Sequence, residues 1–121
     1  MVGATTCNGN PLLEVFKKNL NVLIDLSPNE IKETSVSEPL VSYHAYDGEV
    51  ALEAIRKTNG IVECSSDSVM VDYARLIRRY AGLDVLPASA VTVSIIKKLA
   101  RYDPLISEKS VVAVLTGRKI L

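Results

Sequence analysis

Few side chains in this sequence are suited to acid–base or nucleophilic chemistry. There is a single histidine, His44, which lies between Tyr43 and Ala45. An imidazole titrates near neutral pH, so a general base at His44 is conceivable. No serine or cysteine motif accompanies it, and we therefore expect a surface or structural histidine rather than a catalytic one.

The two cysteines, Cys7 and Cys64, lie far apart and form no C-x-x-C motif. With a single histidine beside them, a zinc site is not expected. The first expectation is that both are reduced, small and partly buried. Each follows a predicted strand, however, so a shared sheet edge would permit a disulfide. The sequence leaves open whether the two side chains meet.

The eight lysines and six glycines lack the settings that cofactor chemistry uses. A lysine becomes nucleophilic near neutral pH in a desolvated pocket, and none here has apolar neighbours on both sides in sequence. The glycines are dispersed and form no cluster that would cradle a phosphate. Three basic pairs fit a solvated helix face better than a nucleic-acid patch: Lys17-Lys18, Arg78-Arg79 and Lys97-Lys98.

Length and composition indicate one globular domain over residues 1–121. Apolar residues make up 48% of the chain, enough to form a core built mainly on aliphatic side chains. Fourteen basic residues balance fourteen acidic ones, so no global field favours nucleic acid or anionic membranes. We find no membrane-length apolar run and no basic leader, which predicts a cytoplasmic location.

Apolar periodicity and turn residues predict alternating strands and helices. Strands are predicted at residues 1–6, 22–26, 61–64 and 111–115, a short extended piece at 83–86, and helices at 11–19, 48–58, 67–80 and 88–102. The run at 111–115 is the strongest strand pattern and is expected in the middle of a parallel sheet. Residues 27–46 form a long irregular connection whose role the sequence does not reveal.

The alternation of strands and helices predicts an α/β fold. We expect a three-layer sandwich with a small, mostly parallel sheet and right-handed crossovers.

Five segments, in order along the chain, resemble the C-terminal part of threonine synthases. They are MVGATTCNGNPL (1–12), YDGEVALEAIR (46–56), GIVECSSD (60–67), GLDVLPASA (82–90) and VVAVLTG (111–117). The resemblance covers nearly the whole chain. It implies part of the fold type II of pyridoxal-phosphate (PLP) enzymes, which is also called the tryptophan synthase β-like fold.

The resemblance implies a cofactor-binding role for Thr116 and Gly117. In the family, the closing Leu-Thr-Gly motif places a hydroxyl against the pyridine nitrogen of PLP. A neutral hydroxyl does not hold that nitrogen protonated as a carboxylate would, so it tunes the cofactor's electron sink. From its position alone, Thr116 is better explained as a threonine that ends a strand at a turn; only the resemblance brings the cofactor-binding role level with that explanation.

The chain departs from the family pattern beside this site. Leu86 replaces the glutamate of the family's Glu-Pro motif, and Arg118 follows Gly117 in place of the usual Gly-Leu-Lys-Asp ending. The family's Schiff-base lysine and phosphate loop belong to an N-terminal part that this sequence does not contain. We therefore expect no catalytic residue, no metal site and no cofactor for the chain alone, and PLP only if a partner chain completes it.

Three functions follow from these observations. The first is a non-catalytic, stand-alone threonine-synthase-like domain that oligomerises and binds a small metabolite. The second is one chain of a split PLP-dependent lyase, completed by a separate N-terminal chain. The third, a small enzyme using His44, has little support. A truncated sheet would expose an edge strand, which predicts a homo-oligomer, most simply a dimer.

Overall fold

Two strands and four α-helices make up the part of the chain that the structure, a computed structural model, describes: residues 1–120. Their bounds are β1 Val2–Thr6, α1 Pro11–Lys17, α2 Gly48–Lys57, β2 Ile61–Ser65, α3 Asp67–Ala81 and α4 Pro87–Tyr102. Short 3₁₀ helices lie at Pro28–Glu30 and Pro104–Glu108. Among these residues, every helix is too short or too polar to span a lipid bilayer.

The sheet consists of β1 and β2, which pair in parallel. Val2 lies opposite Ile61, and Thr6 lies opposite Ser65. Parallel neighbours need a long crossover connection, which α1, the irregular segment and α2 provide. The expectation of an α/β fold with a small parallel sheet is confirmed.

Helices cover both faces of the sheet. On one face, Leu13 of α1 and Ile55 of α2 pack against Val62 of β2. On the other face, Met70 of α3 packs with two buried residues of α4 and with Ala4 of β1. The molecule therefore has two aliphatic cores, one on each side of a two-stranded sheet.

Local signals in the sequence set several helix ends. The Asn10 side chain accepts a hydrogen bond from the Leu12 N–H and caps α1, with Pro11 as the first helical residue. Gly82 ends α3 at φ 67°, a left-handed conformation that glycine adopts without strain. The helices lie close to where the sequence predicts them.

The expectation of reduced cysteines is wrong, because Cys7 and Cys64 form a disulfide. Cys64 lies opposite Thr5 in the strand pair, and Cys7 continues β1 by donating its N–H to the Ser65 carbonyl at 3.2 Å. Strand pairing thus holds the two Cα atoms 5.0 Å apart, which is bonding distance for a disulfide.

The strand predicted at residues 22–26 does not form. This segment lies over the start of α2, where a β-carbon on Gly48 would come within 2.5 Å of the Leu23 side chain. The Arg56 guanidinium donates to the Leu20 and Asn21 carbonyls just before it. These contacts, together with the Leu26 N–H that donates to the Tyr43 carbonyl at 2.8 Å, hold the segment without a neighbouring strand.

The strand predicted at residues 111–115 does not form either. No backbone hydrogen bond joins it to β1 or β2. Instead the segment crosses α4, where the Thr92 hydroxyl donates to the Val114 carbonyl at 3.4 Å. Val112 is 87% exposed and Val114 is 64% exposed. We refer to residues 109–117 as the closing segment.

Candidate functional site

The closing segment ends against the first turn of α4. Val85 and Arg118 form an isolated antiparallel bridge, and the Leu86 N–H donates to the Gly117 carbonyl at 3.0 Å. The Gly117 N–H in turn donates to the Ser89 hydroxyl at 3.1 Å. The structure thus brings the predicted site residues together with the segment at residues 82–90.

Gly117 lies against the Leu86 side chain. A β-carbon at position 117 would lie 2.9 Å from Cδ1 of Leu86, so a larger residue there would displace the end of that side chain. Leu86, the residue that stands where the family has glutamate, therefore packs directly on Gly117. Its side chain is apolar, so it adds no charge beside Thr116.

Two contacts fix the direction of α4 relative to the sheet. The Ser94 and Ser65 hydroxyls are 2.7 Å apart at the end of β2, and Lys98 Nζ reaches Glu63 Oε2 at 2.6 Å, earlier in the same strand. The helix therefore runs antiparallel to β2, and its first turn lies toward the carboxyl ends of the strands. Ligands of open α/β sheets bind at that end.

Thr116 is exposed at this place. Its hydroxyl makes no hydrogen bond to any of residues 1–120. An exposed hydroxyl of this kind is accessible to water and to an outside group.

The carboxyl end of β1 carries a polar network that sequence reasoning missed. The Asn8 amide donates to Asp67 Oδ1 at 3.0 Å, and the Thr34 hydroxyl donates to Asp67 Oδ2 at 2.7 Å. Thr34 and the fully buried Ser37 exchange further hydrogen bonds. The irregular segment at residues 27–46 thus covers this end of the sheet, which explains its length. In the sequence, the network is marked only by an aspartate in the first turn of α3 and an asparagine just after β1.

His44 lies in the same irregular segment, but at its exposed side. Its Nδ1 is 2.7 Å from Asp25 Oδ1, and the Tyr46 ring meets it edge-on with centroids 4.8 Å apart. No serine, threonine or cysteine side chain bonds to its ring within residues 1–120. The expectation of a surface histidine fits this geometry.

Several of the lysines lie in ion pairs. Lys98 pairs with Glu63. Lys18 pairs with Glu14, whose carboxylate raises the pKa of the Lys18 amine, and it lies 3.6 Å from Glu30. A nucleophilic lysine needs a lowered pKa, so these ion pairs work against that chemistry.

Lys109 lies in the lining of a cavity between β1, α4 and the closing segment. The six glycines are dispersed along the sequence and form no phosphate cradle, so the described residues do not fit PLP by themselves.

Comparison with known proteins supports one relationship. No protein-family model matches the sequence. A threonine synthase of Methanocaldococcus jannaschii is 27% identical over 117 residues. The chain is similar to part of a threonine synthase. The similarity covers 97% of this chain and 28% of that protein. The threonine-synthase likeness expected from the five motifs is confirmed at this level, and the chain spans about a quarter of the relative it matches.

Proposed function

We propose that this threonine-synthase-like chain is a non-catalytic domain whose role is association. One observation carries the proposal: two of the resembling segments meet at the Ser89–Gly117 contact and expose Thr116, whereas the dispersed glycines of the chain offer no phosphate cradle beside it. The domain keeps one side of a site and lacks its reacting groups.

Whether the chain has a lysine that attaches PLP, or a site that binds its phosphate, can be tested on the purified chain. We expect that incubation with PLP, reduction with borohydride and intact-mass measurement give no saturable one-to-one adduct. Thermal unfolding with PLP or inorganic phosphate should show no shift, whereas ligand at 100 times its dissociation constant would add about 2.7 kcal/mol. A stable single adduct on one lysine of the unaided chain would overturn the proposal.

A split PLP-dependent lyase of the threonine synthase type is the second candidate. The exposed, unbonded hydroxyl of Thr116 favours it, because the resemblance assigns this hydroxyl to the pyridine nitrogen. PLP would supply the electron sink, and a separate N-terminal chain would supply the lysine and the phosphate loop. This chain would contribute the neutral hydroxyl.

Thr116→Val tests this candidate, with Thr116→Ser as the matched control. In a complex with a completing chain, the valine variant should shift the visible spectrum of bound PLP, and the serine variant should retain the parent spectrum. The readout is spectral, so it does not depend on turnover. Identical spectra for all three proteins would remove Thr116 from the site.

A further inference from the structure

One edge of β1 has no partner within residues 1–120. The Cys7 N–H donates to the Ser65 carbonyl, on the side of β2. Because successive backbone groups of a strand point to alternate sides, the N–H groups of Ala4 and Thr6 point to the opposite edge. No backbone hydrogen bond joins β1 to a segment other than β2. This edge is a template for another strand.

A cavity lies beside this edge on the α4 side of the sheet. Its volume is about 610 Å³. Val2 and Ala4 of β1 line it on one side, Ile95 and Leu99 of α4 form its floor, and Val112 of the closing segment lines its far side. The lining is mainly aliphatic, which suits apolar side chains rather than an anionic metabolite.

A second cavity lies on the other face of β1. Its volume is about 420 Å³, and its lining includes Gly3, Thr5, Leu12, Leu40 and Ile55. Thr5 is 6% exposed, and its hydroxyl has no hydrogen-bond partner within residues 1–120. Buried hydroxyls without partners are uncommon in folded proteins. The edge of β1 is therefore flanked by incomplete packing on both faces.

The closing segment forms the far side of this space and runs in the same direction as β1. Gly117 contacts Ser89 early in α4, and Val114 contacts Thr92 further along the helix. The segment is thus antiparallel to α4, which is itself antiparallel to β2. Adjacent strands lie about 4.8 Å apart and share hydrogen bonds. Here the larger cavity separates the two segments instead.

We propose that an extended strand from outside residues 1–120 inserts between β1 and the closing segment. The completed sheet then has the order closing segment, inserted strand, β1 and β2, all parallel. Alternate side chains of the inserted strand fill the two cavities, apolar ones toward α4 and a hydrogen-bonding one toward Thr5. Val111–Val114, which are extended but unpaired, become a paired strand in this arrangement.

The strand comes from the part of a threonine-synthase-like polypeptide that this chain does not span. The relative has ample chain for it, because the similarity covers 28% of its length. A second copy of this chain is the alternative occupant, and the exchange experiment below distinguishes the two. The strand's source rests on the second candidate function, in which a separate chain completes this one, whereas the slot itself rests on the edge and the cavities.

The test uses the full chain co-expressed with the portion of the Methanocaldococcus jannaschii threonine synthase that lies outside the similarity. Amide hydrogen exchange is measured for the free and the associated chain. We expect exchange at Ala4, Thr6 and Val112 to slow on the order of 100-fold in the complex. Amides that already bond β2 serve as internal controls.

Val112→Lys and Val50→Lys form a matched pair of variants. Both valines are highly exposed, at 87% and 71%, so neither lysine should unfold the free chain. Val112 lines the larger cavity, whereas Val50 lies on α2, away from it. We expect co-purification to be lost with Val112→Lys and retained with Val50→Lys.

Three results would overturn the inference. They are the absence of a complex, a complex without protection at Ala4 and Thr6, and a homodimer of the chain alone protected at the same amides. The third would assign the slot to a second copy. Because exchange is read without PLP, loss of cofactor binding with intact protection would count against the split-lyase candidate alone.

Discussion

β1 and the closing segment both contact α4 and run in the same direction, yet only one of them is a strand. β1 pairs with β2 over five residues and is cross-linked to it by Cys7–Cys64. The closing segment has the more apolar sequence, but contacts at Ser89 and Thr92 hold it without a neighbouring strand. The comparison shows that a segment becomes a β-strand only beside a second segment, because the backbone hydrogen bonds of a sheet join neighbouring strands and do not form within one strand.

The largest expected effect concerns the cross-link that only β1 has. The disulfide closes a loop between residues 57 apart in sequence. In the chain-entropy account, opening such a loop costs about 4 kcal/mol of stability. Urea unfolding of the oxidised and reduced chain should show this difference. The unfolding midpoint of the double variant Cys7→Ser/Cys64→Ser should not change when reductant is added. Equal urea midpoints for the oxidised and reduced parent chain would contradict the prediction.

The next effect compares the α4 core beneath β1 with the exposed closing segment. Ile95 is 1% exposed and packs with Met70 and Val91. Ile95→Ala should cost about 3 kcal/mol in the free energy of unfolding, because it removes buried methyl groups and leaves a cavity. Val112→Ala should change that free energy by less than about 0.5 kcal/mol. Similar losses in both variants would show that the closing segment belongs to the core of the isolated chain.

A smaller effect concerns how the closing segment is held at α4. Ser89→Ala removes the acceptor of the Gly117 N–H and should cost about 1 kcal/mol locally. The measurement is amide exchange at Gly117, which should quicken by roughly fivefold. Ser107→Ala, which removes an exposed hydroxyl bonded to the Pro104 carbonyl, should leave this exchange unchanged. An unaltered Gly117 amide in Ser89→Ala would mean that other contacts hold the segment.

The smallest effect lies at the surface, away from both segments. Bonds from the Ser27 N–H and hydroxyl, aided by Lys18, lower the pKa of the Glu30 carboxyl. A lowered pKa in the folded state adds stability above the ordinary glutamate pKa of about 4.3, and this stability is lost as pH falls through the folded value. NMR titration should place the pKa of Glu30 below the ordinary glutamate value. Glu30→Gln should flatten this part of the pH dependence, and a Glu30 titration at the ordinary value would contradict the assignment.

The predicted helices are found because their signals are local. Asn10 and Gly82 act within a few residues of themselves, as cap and stop, and apolar spacing marks the faces of α2 and α3. For these features, the nearest residues in sequence carry the information.

The features that were missed depend on distant residues. Residues 22–26 have a strand-like pattern, but Leu23 and the Arg56 contacts engage them over α2. The network of Asn8, Thr34 and Asp67 joins three separate parts of the chain. None of these partners is visible from periodicity.

By itself, the sequence determined the helices, their ends, the alternation that makes an α/β fold and the likeness to part of a threonine synthase. The tertiary structure decided that Cys7 and Cys64 are bonded, that residues 27–46 cover one end of the sheet, and that residues 111–115 remain unpaired. The physical reason is the separation in sequence between the groups that interact. Helix hydrogen bonds and caps close within four residues, whereas strand pairing, disulfides and buried polar networks exist only where folding brings remote residues together.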